Sequence, residues 1–263
     1  MQTQANSIVV NYELSGPEGA PVVVLSHSLG SNFFMWDFQL AALEAQYRVL
    51  RYDTRGHGGS QATAGPYSLD VLGDDALALM DNLGFDRVHW VGLSMGGMVG
   101  QNIALRHPDR LLSVSLCDTM AQLPAEAQPI WQDRINTARS KGLEALVEPT
   151  MERWFTAPYR AQEPAALKLI RQYFLSTSID GYIGCSEAIR QLDYLDQLSA
   201  IPLPTLIIVG EQDSGTPVAA SQAMQQRIKD SQLDIIPDAA HLSNVEQTGA
   251  FNRILLEFLA RQI

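Results

Sequence analysis

Residues 91–97 read "VGLSMGG", with Ser94 set between Gly92 and Gly96 in a G-x-S-x-G pattern. The run ahead of it, "RVHWVG" (87–92), is β-branched and aromatic. The run behind it, "MVGQNIALRH" (98–107), has apolar residues at helical spacing. Strand, sharp turn and helix form the context in which this pattern presents a serine hydroxyl. The glycines let two backbones pack closely around a residue held in a strained conformation. A Gly/Ser turn without chemistry would carry the same letters, so the meaning depends on the rest of the chain.

Outward from this turn, short β-rich runs recur: "SIVVNYEL" (7–14), "PVVVLSH" (21–27), "YRVLRYD" (47–53), "RVHWVGL" (87–93), "LLSVSLCD" (111–118), "PTLIIVGE" (204–211) and "QLDIIPDA" (232–239). The middle ones are apolar on both faces, as strands of a parallel sheet covered by helices should be. Amphipathic stretches such as 68–83 and 245–262 alternate with them. That alternation predicts an α/β, mostly parallel, doubly wound sheet. From about Gln122 to Leu198 the patterning is helical, with Pro124, Pro129 and Pro149 punctuating it and no strand. The expectation is a core of residues 1–122 and 198–263 with a helical cap inserted at 123–197.

The bulk numbers exclude several classes. A chain of 263 residues, 46% hydrophobic and 18% charged, can build one large core or a core with an inserted subdomain. A net charge of −11 argues against nucleic acid or an anionic membrane surface as partner. No apolar run approaches membrane-spanning length, and "MQTQANSIVV" lacks the basic-then-apolar form of a signal peptide. Cys117 and Cys185 are far apart and show no metal-ligand or redox spacing, so both read as buried small hydrophobes in a reducing compartment. A cytoplasmic protein without a metal site is expected. Charge is uneven along the chain: residues 123–197 hold 8 Lys/Arg and 10 Asp/Glu, whereas the remainder holds 10 and 19.

A serine hydroxyl becomes a useful nucleophile only when a base takes its proton and a third group orients that base. His241, in "IIPDAAHLSNVEQ", follows a strand and precedes the last helix, which places it at the carboxyl edge of the sheet. Asp213 follows "LIIVGEQD" in the same way. The order Ser94, Asp213, His241 is the chain order of α/β-hydrolases, so an α/β-hydrolase fold is expected. The alternative for His241 is a purely structural role. Asp118, at the end of an earlier strand, is the rival acid. His89 lies inside a strand, His107 is expected to cap carbonyls before Pro108, and His57 in "YDTRGHGGS" is expected to shape the rim. Asp53 reads as holding the turn around Arg55. An oxyanion would need two backbone N–H donors. One is expected from Met95, after the nucleophile, and one from Leu29 in "HSLG" (27–30).

Taken together, "LSHSLGSNFFMWD", "YDTRGHGGS", "GPYS", "VGLSMGGMVGQNIALRHPDR", "IVGEQD" and "DAAHLSNVEQ" resemble the 3-oxoadipate enol-lactonases of the α/β-hydrolase superfamily. Ser28 stands where a glycine is common in that family. The resemblance implies hydrolysis of 3-oxoadipate enol-lactone to 3-oxoadipate in aromatic-compound catabolism, without a cofactor. Its substrate would be a small anionic lactone, and its enolate leaving group departs more readily than an alkoxide.

An anionic substrate calls for a cationic anchor in an otherwise negative protein. "WQDR" puts Trp131 and Arg134 three residues apart on one helical face. A guanidinium can grip a carboxylate with two parallel bonds. The alternative is a surface arginine paired with Asp or Glu. Trp154 is a further candidate for the cap side of the pocket, or for the core. Rival functions are a general carboxylesterase or haloperoxidase-like enzyme, a carbon–carbon bond hydrolase, and a non-catalytic ligand receptor. The complete Ser–Asp–His set disfavours the last.

Overall fold

The computed structural model describes residues 1–262. Its strands are β1 (Gln2–Ala5), β2 (Ile8–Ser15), β3 (Val22–Ser26), β4 (Arg48–Tyr52), β5 (Val88–Leu93), β6 (Leu111–Cys117), β7 (Thr205–Gly210) and β8 (Ser231–Ile236). All but β1 fall on the expected runs. β1 has no apolar alternation to announce it. It forms because Asn6 and Ser7, with φ of 45° and 67°, make a two-residue turn that folds it back onto β2.

One sheet joins all eight strands in the order β1-β2-β4-β3-β5-β6-β7-β8. β2 runs antiparallel to β1 and β4, and the remaining pairings are parallel. β5 and β7 are buried along their whole length, as their continuous apolar sequences require. The core helices are α1 (Asp37–Leu43), α2 (Leu69–Asn82) and α3 (Met95–Arg106). Ser68 starts α2 as expected of a cap residue, its Oγ accepting from Val71 N at 3.2 Å.

Between β6 and β7 lie α4 (Gln128–Lys141), α5 (Glu144–Trp154), α6 (Ala157–Ala161), α7 (Ala165–Ser176) and α8 (Ile179–Arg190). This segment contains no strand, only an isolated bridge between Gln122 and Asp193. Leu123 N donates to Leu192 O at 3.0 Å and Tyr194 N to Ala121 O at 2.7 Å, so its two ends are tied together where they leave the sheet. Three helices follow it: α9 (Val218–Arg227), α10 (Ser243–Glu246) and α11 (Thr248–Leu259). The single helix expected over 245–262 is therefore broken at Gln247. Glu246, just before the break, turns its buried carboxylate to Ala240 N and Thr156 N, at 3.0 and 3.1 Å.

The strand order also says where a ligand should bind. The connection from β3 runs through α1 to β4, on one side of β3. The connection from β5 runs through α3 to β6, on the other side. β3 and β5 are adjacent, so their connections diverge and leave a crevice at their carboxyl ends. Register brings four strand ends to this edge, since Leu93 pairs with Cys117, Cys117 with Ile208, and Gly210 with Ile236. Among the described residues no helix is long and apolar enough to cross a membrane. Cys117 and Cys185 are buried free thiols.

Candidate active site

Ser94 directly follows β5 and has φ 55° and ψ −114°, a conformation that L-residues rarely adopt. Its surroundings hold it there. Ser94 N donates to Cys117 O at 2.8 Å, and Ser94 O accepts from Gly97 N, Met98 N and Thr119 Oγ1. The flanking glycines are required by space. A Cβ on Gly92 would sit 2.1 Å from Gly96 O, and one on Gly96 would sit 2.1 Å from Ser26 O. The pattern is thus a close crossing of β3, β5 and α3, with the serine at its apex.

His241 and Asp213 meet on the loops after β8 and β7. Asp213 Oδ2 accepts from His241 Nδ1 at 2.8 Å and from Thr216 Oγ1 at 2.6 Å; Oδ1 accepts from Gly215 N and Thr216 N. The proton on Nδ1 leaves the Nε2 lone pair of His241 to the cavity that Ser94 also lines. Burial alone would push the Asp213 carboxyl up and the His241 imidazole down. Their mutual attraction and hydrogen bond reverse both, with Thr216 helping to hold Asp213 below its usual range and the Asp118 charge helping to hold His241 above its own.

Asp118 does not reach the imidazole. It is fully buried, accepts from Gly210 N at 2.8 Å and from Ser243 Oγ at 2.5 Å, and so ties the β7 and β8 ends to β6. Burial, then the neighbouring Asp213 charge, pushes its pKa up to about 8.

The loop after β3 carries the second half of the site. Among the described residues neither Leu29 N nor Met95 N has a hydrogen-bond partner, and Leu29 lines the cavity. Ser28 does not take a positive φ, which is why a side chain fits where a glycine is common; its N–H points to Met35 Sδ at 3.4 Å. Two neutral imidazoles hold this loop. Thr54 N donates to His27 Nε2 at 2.9 Å while His27 Nδ1 donates to Ser28 O at 2.7 Å. Gly30 N donates to His57 Nε2 at 3.0 Å while His57 Nδ1 donates to Arg55 O. Burial lowers their pKa values to about 4 and about 3. His57 is therefore not a rim residue, as the sequence suggested, but a buried support for the loop. Asp53 binds Asn11, Phe33 N and Gly59 N, whereas Arg55 is held by Asp75. His107 ends α3 with its backbone N–H, which donates to Ile103 O, rather than with its ring.

The cavity has a volume of about 350 Å³ and opens between the sheet edge and α4, α5, α7 and α8. Trp131, Arg134 and Trp154 all line it, as expected. The Arg134 guanidinium lies 4.8 Å from the Trp131 ring centre, and among the described residues it has no carboxylate partner. Trp154 stacks near-parallel on His241, centroids 6.5 Å apart, and packs edge-on against Phe174. Sequence reasoning missed Arg153, which lines the same cavity, and Thr216, which secures Asp213. Arg153 immediately precedes Trp154, but nothing in its local pattern separates it from the other arginines of the chain. Among the described residues no group of three His, Cys, Asp or Glu is placed to hold a metal ion.

This arrangement sits on a fold with a long list of relatives. The family model for the alpha/beta hydrolase fold matches residues 21–248, and the chain belongs to that family. It is a hydrolase acting on ester bonds. The 3-oxoadipate enol-lactonase 2 of Acinetobacter baylyi is 37% identical over 257 residues, which cover 98% of this chain and 95% of that protein. The crystal structure of the enol-lactonase from Burkholderia xenovorans LB400 matches with a TM-score of 0.96 at 39% identity, covering 99% and 100% of the two chains. A protein of Variovorax paradoxus provisionally named carbamate hydrolase RutD is 32% identical over 260 residues, 96% of each chain. The likeness to enol-lactonases runs the length of the chain, while relatives named for another substrate make the cavity's chemistry the guide to specificity.

Proposed function

We propose that the protein opens 3-oxoadipate enol-lactone to 3-oxoadipate through an acyl-enzyme, as a cytoplasmic step of the beta-ketoadipate pathway. The observation that carries this reading is the Arg134 guanidinium, which has no carboxylate partner among the described residues and faces the Ser94 cavity in a chain of net charge −11. A neutral ester offers such a group only uncharged acceptor oxygens, whereas a carboxylate adds a full charge and a two-bond contact. In this reading residues 123–197 act as a cap that carries the anion anchor, with Trp131 fixing the Arg134 plane and Trp154 walling the His241 side.

Ser94 Oγ attacks the lactone carbonyl as His241 Nε2 takes its proton. Asp213 keeps the imidazole in the Nδ1–H tautomer and offsets the positive charge that forms. Leu29 N and Met95 N, neither with a hydrogen-bond partner among the described residues, donate to the oxyanion. The ring oxygen leaves as an enolate, which becomes a ketone on protonation. Water activated by His241 then releases the second carboxylate and frees Ser94. The test is to follow ring opening of freshly prepared enol-lactone against neutral 4-nitrophenyl esters and a simple carbamate. Catalytic efficiency on the lactone should be highest. A clear preference for the neutral ester or the carbamate overturns the reading.

A further inference from the structure

The reaction sets down charge in a place the anchor alone does not cover. The enol-lactone of 3-oxoadipate carries one carboxylate, attached through a single CH₂ to the carbon that bears the ring oxygen. When the acyl–oxygen bond breaks, the electron pair stays on that oxygen. For a moment the leaving half carries a carboxylate and an enolate a few ångströms apart. One negative charge in the ground state becomes two in the transition state.

The cavity is lined by two guanidiniums, and of the two only Arg153 is close enough for its charge to act on His241. Arg134 lies on α4 against Trp131. Arg153 is at the end of α5, and that end is clasped to the histidine loop. Leu242 N donates to Trp154 O at 3.0 Å, the Trp154 ring stacks on His241, and Thr156 is bound through both N and Oγ1 to Glu246. The same Glu246 carboxylate takes Ala240 N, beside His241. Arg153 is thereby held on the side where the proton moves. Its one hydrogen bond among the described residues is from Nη2 to Thr150 Oγ1 at 3.0 Å, and it forms no ion pair there. Burial, then the charge of Arg134, lowers its pKa to about 10, which leaves it charged at neutral pH. An unpaired, partly desolvated cation beside a second cation is costly unless the working complex supplies negative charge.

We propose that Arg153 contacts the leaving oxygen of the lactone and stabilises the enolate as the acyl–oxygen bond breaks, while Arg134 holds the carboxylate. The proton that His241 took from Ser94 is then delivered to the leaving group, which tautomerises to the ketone, and no co-reactant is needed. Because the contact strengthens only as charge develops, Arg153 acts on kcat and Arg134 on KM. The proposal rests on the enol-lactonase reading.

The test compares wild type, Arg153→Gln, Arg153→Lys and Arg134→Ala on the enol-lactone. Loss of one preorganised donor to a developing oxyanion costs about 100-fold or more in kcat, so Arg153→Gln should fall by that much with KM changed less than about threefold. Arg153→Lys should restore at least about tenfold of that loss, since it keeps the charge. If the Gln variant does not fold, Arg153→Met keeps the stem and drops the charge. A second readout is the pH–rate profile on 4-nitrophenyl acetate. The charged groups facing His241 are Asp213, Asp118 and Arg153, and removing the cation should move the acid limb to higher pH. A rise in KM with kcat intact, or an unchanged kcat in Arg153→Gln, overturns the assignment. Wild type inert toward the enol-lactone would instead fell the underlying functional reading, and the proposal with it.

Discussion

Replacing Arg134 separates substrate recognition from stability. The guanidinium lies in the cavity with no carboxylate partner among the described residues, so Arg134→Ala breaks no ion pair. It removes a contact with the Trp131 ring worth about 0.5–2 kcal/mol and also a repulsion with Arg153. These nearly cancel, and thermal stability should change by less than about 1 kcal/mol. Binding is another matter. Truncating one partner of a desolvated charge pair costs about 2–5 kcal/mol, and Arg134 is only partly buried, so the lower half of that range applies. A loss of about 2–3 kcal/mol is about 30- to 150-fold in kcat/KM. Arg134→Lys should recover only part of it, because a point charge cannot make the planar two-bond contact. The assay is kcat/KM on the anionic lactone and on a neutral ester of similar size, with a thermal melt of each variant. An equal drop on both substrates, or a large fall in melting temperature, would show that Arg134 supports the cap and does not read the carboxylate.

Ser94→Ala should abolish turnover while leaving the melt nearly unchanged, because the strained turn is held by backbone contacts; substantial residual hydrolysis by folded variant protein would sink the nucleophile assignment. Since His241 must be neutral to act as base and its pKa is raised, activity should fall as pH drops through a value above the ordinary histidine value of about 6.5. Asp213→Asn should cripple kcat and move that limb down, and Asp118→Asn should do much less; the reverse ranking would make Asp118 the acid. His57 keeps its neutral form when folded down to about pH 3, whereas an unfolded chain takes the proton near 6.5. Its contribution to stability is thus complete above pH 6.5 and is lost as pH falls below it. Between pH 6.5 and 5 wild type should lose about 1.6 kcal/mol more than His57→Gln in denaturant titrations, and parallel curves would refute it. Gly96→Ala forces a Cβ to 2.1 Å from Ser26 O, so it should destabilise the protein, whereas Gly249→Ala, in α11 where a Cβ meets nothing, should leave stability unchanged or raise it.

The sheet and the sharp turn that presents Ser94 were legible in the sequence. Short β-branched apolar runs such as "TLIIVG" suit covered strands, and glycines on either side of Ser94 suit a close strand-to-helix crossing. Both are local signals, carried by neighbours in the chain. The strand β1 was invisible because its stability lies in the turn at Asn6–Ser7 and in its partner, not in its own side chains. The candidate triad of Ser94, Asp213 and His241 could be picked out because each member follows its strand closely, so chain order stood in for space. Asp213 was preferred to Asp118 in the sequence only by its position after a later strand, and the contact that separates the two is seen only in the structure. Both are buried strand-end carboxylates, and only the loop geometry gives one of them the imidazole and the other Ser243 and Gly210 N. The same holds for His57 and Arg153. A histidine in a glycine-rich turn and an arginine in a helix have no pattern of their own. What they do follows from contacts across the chain, to Gly30 N 27 residues away and to a cavity wall shared with His241, and such distances in sequence leave no local trace.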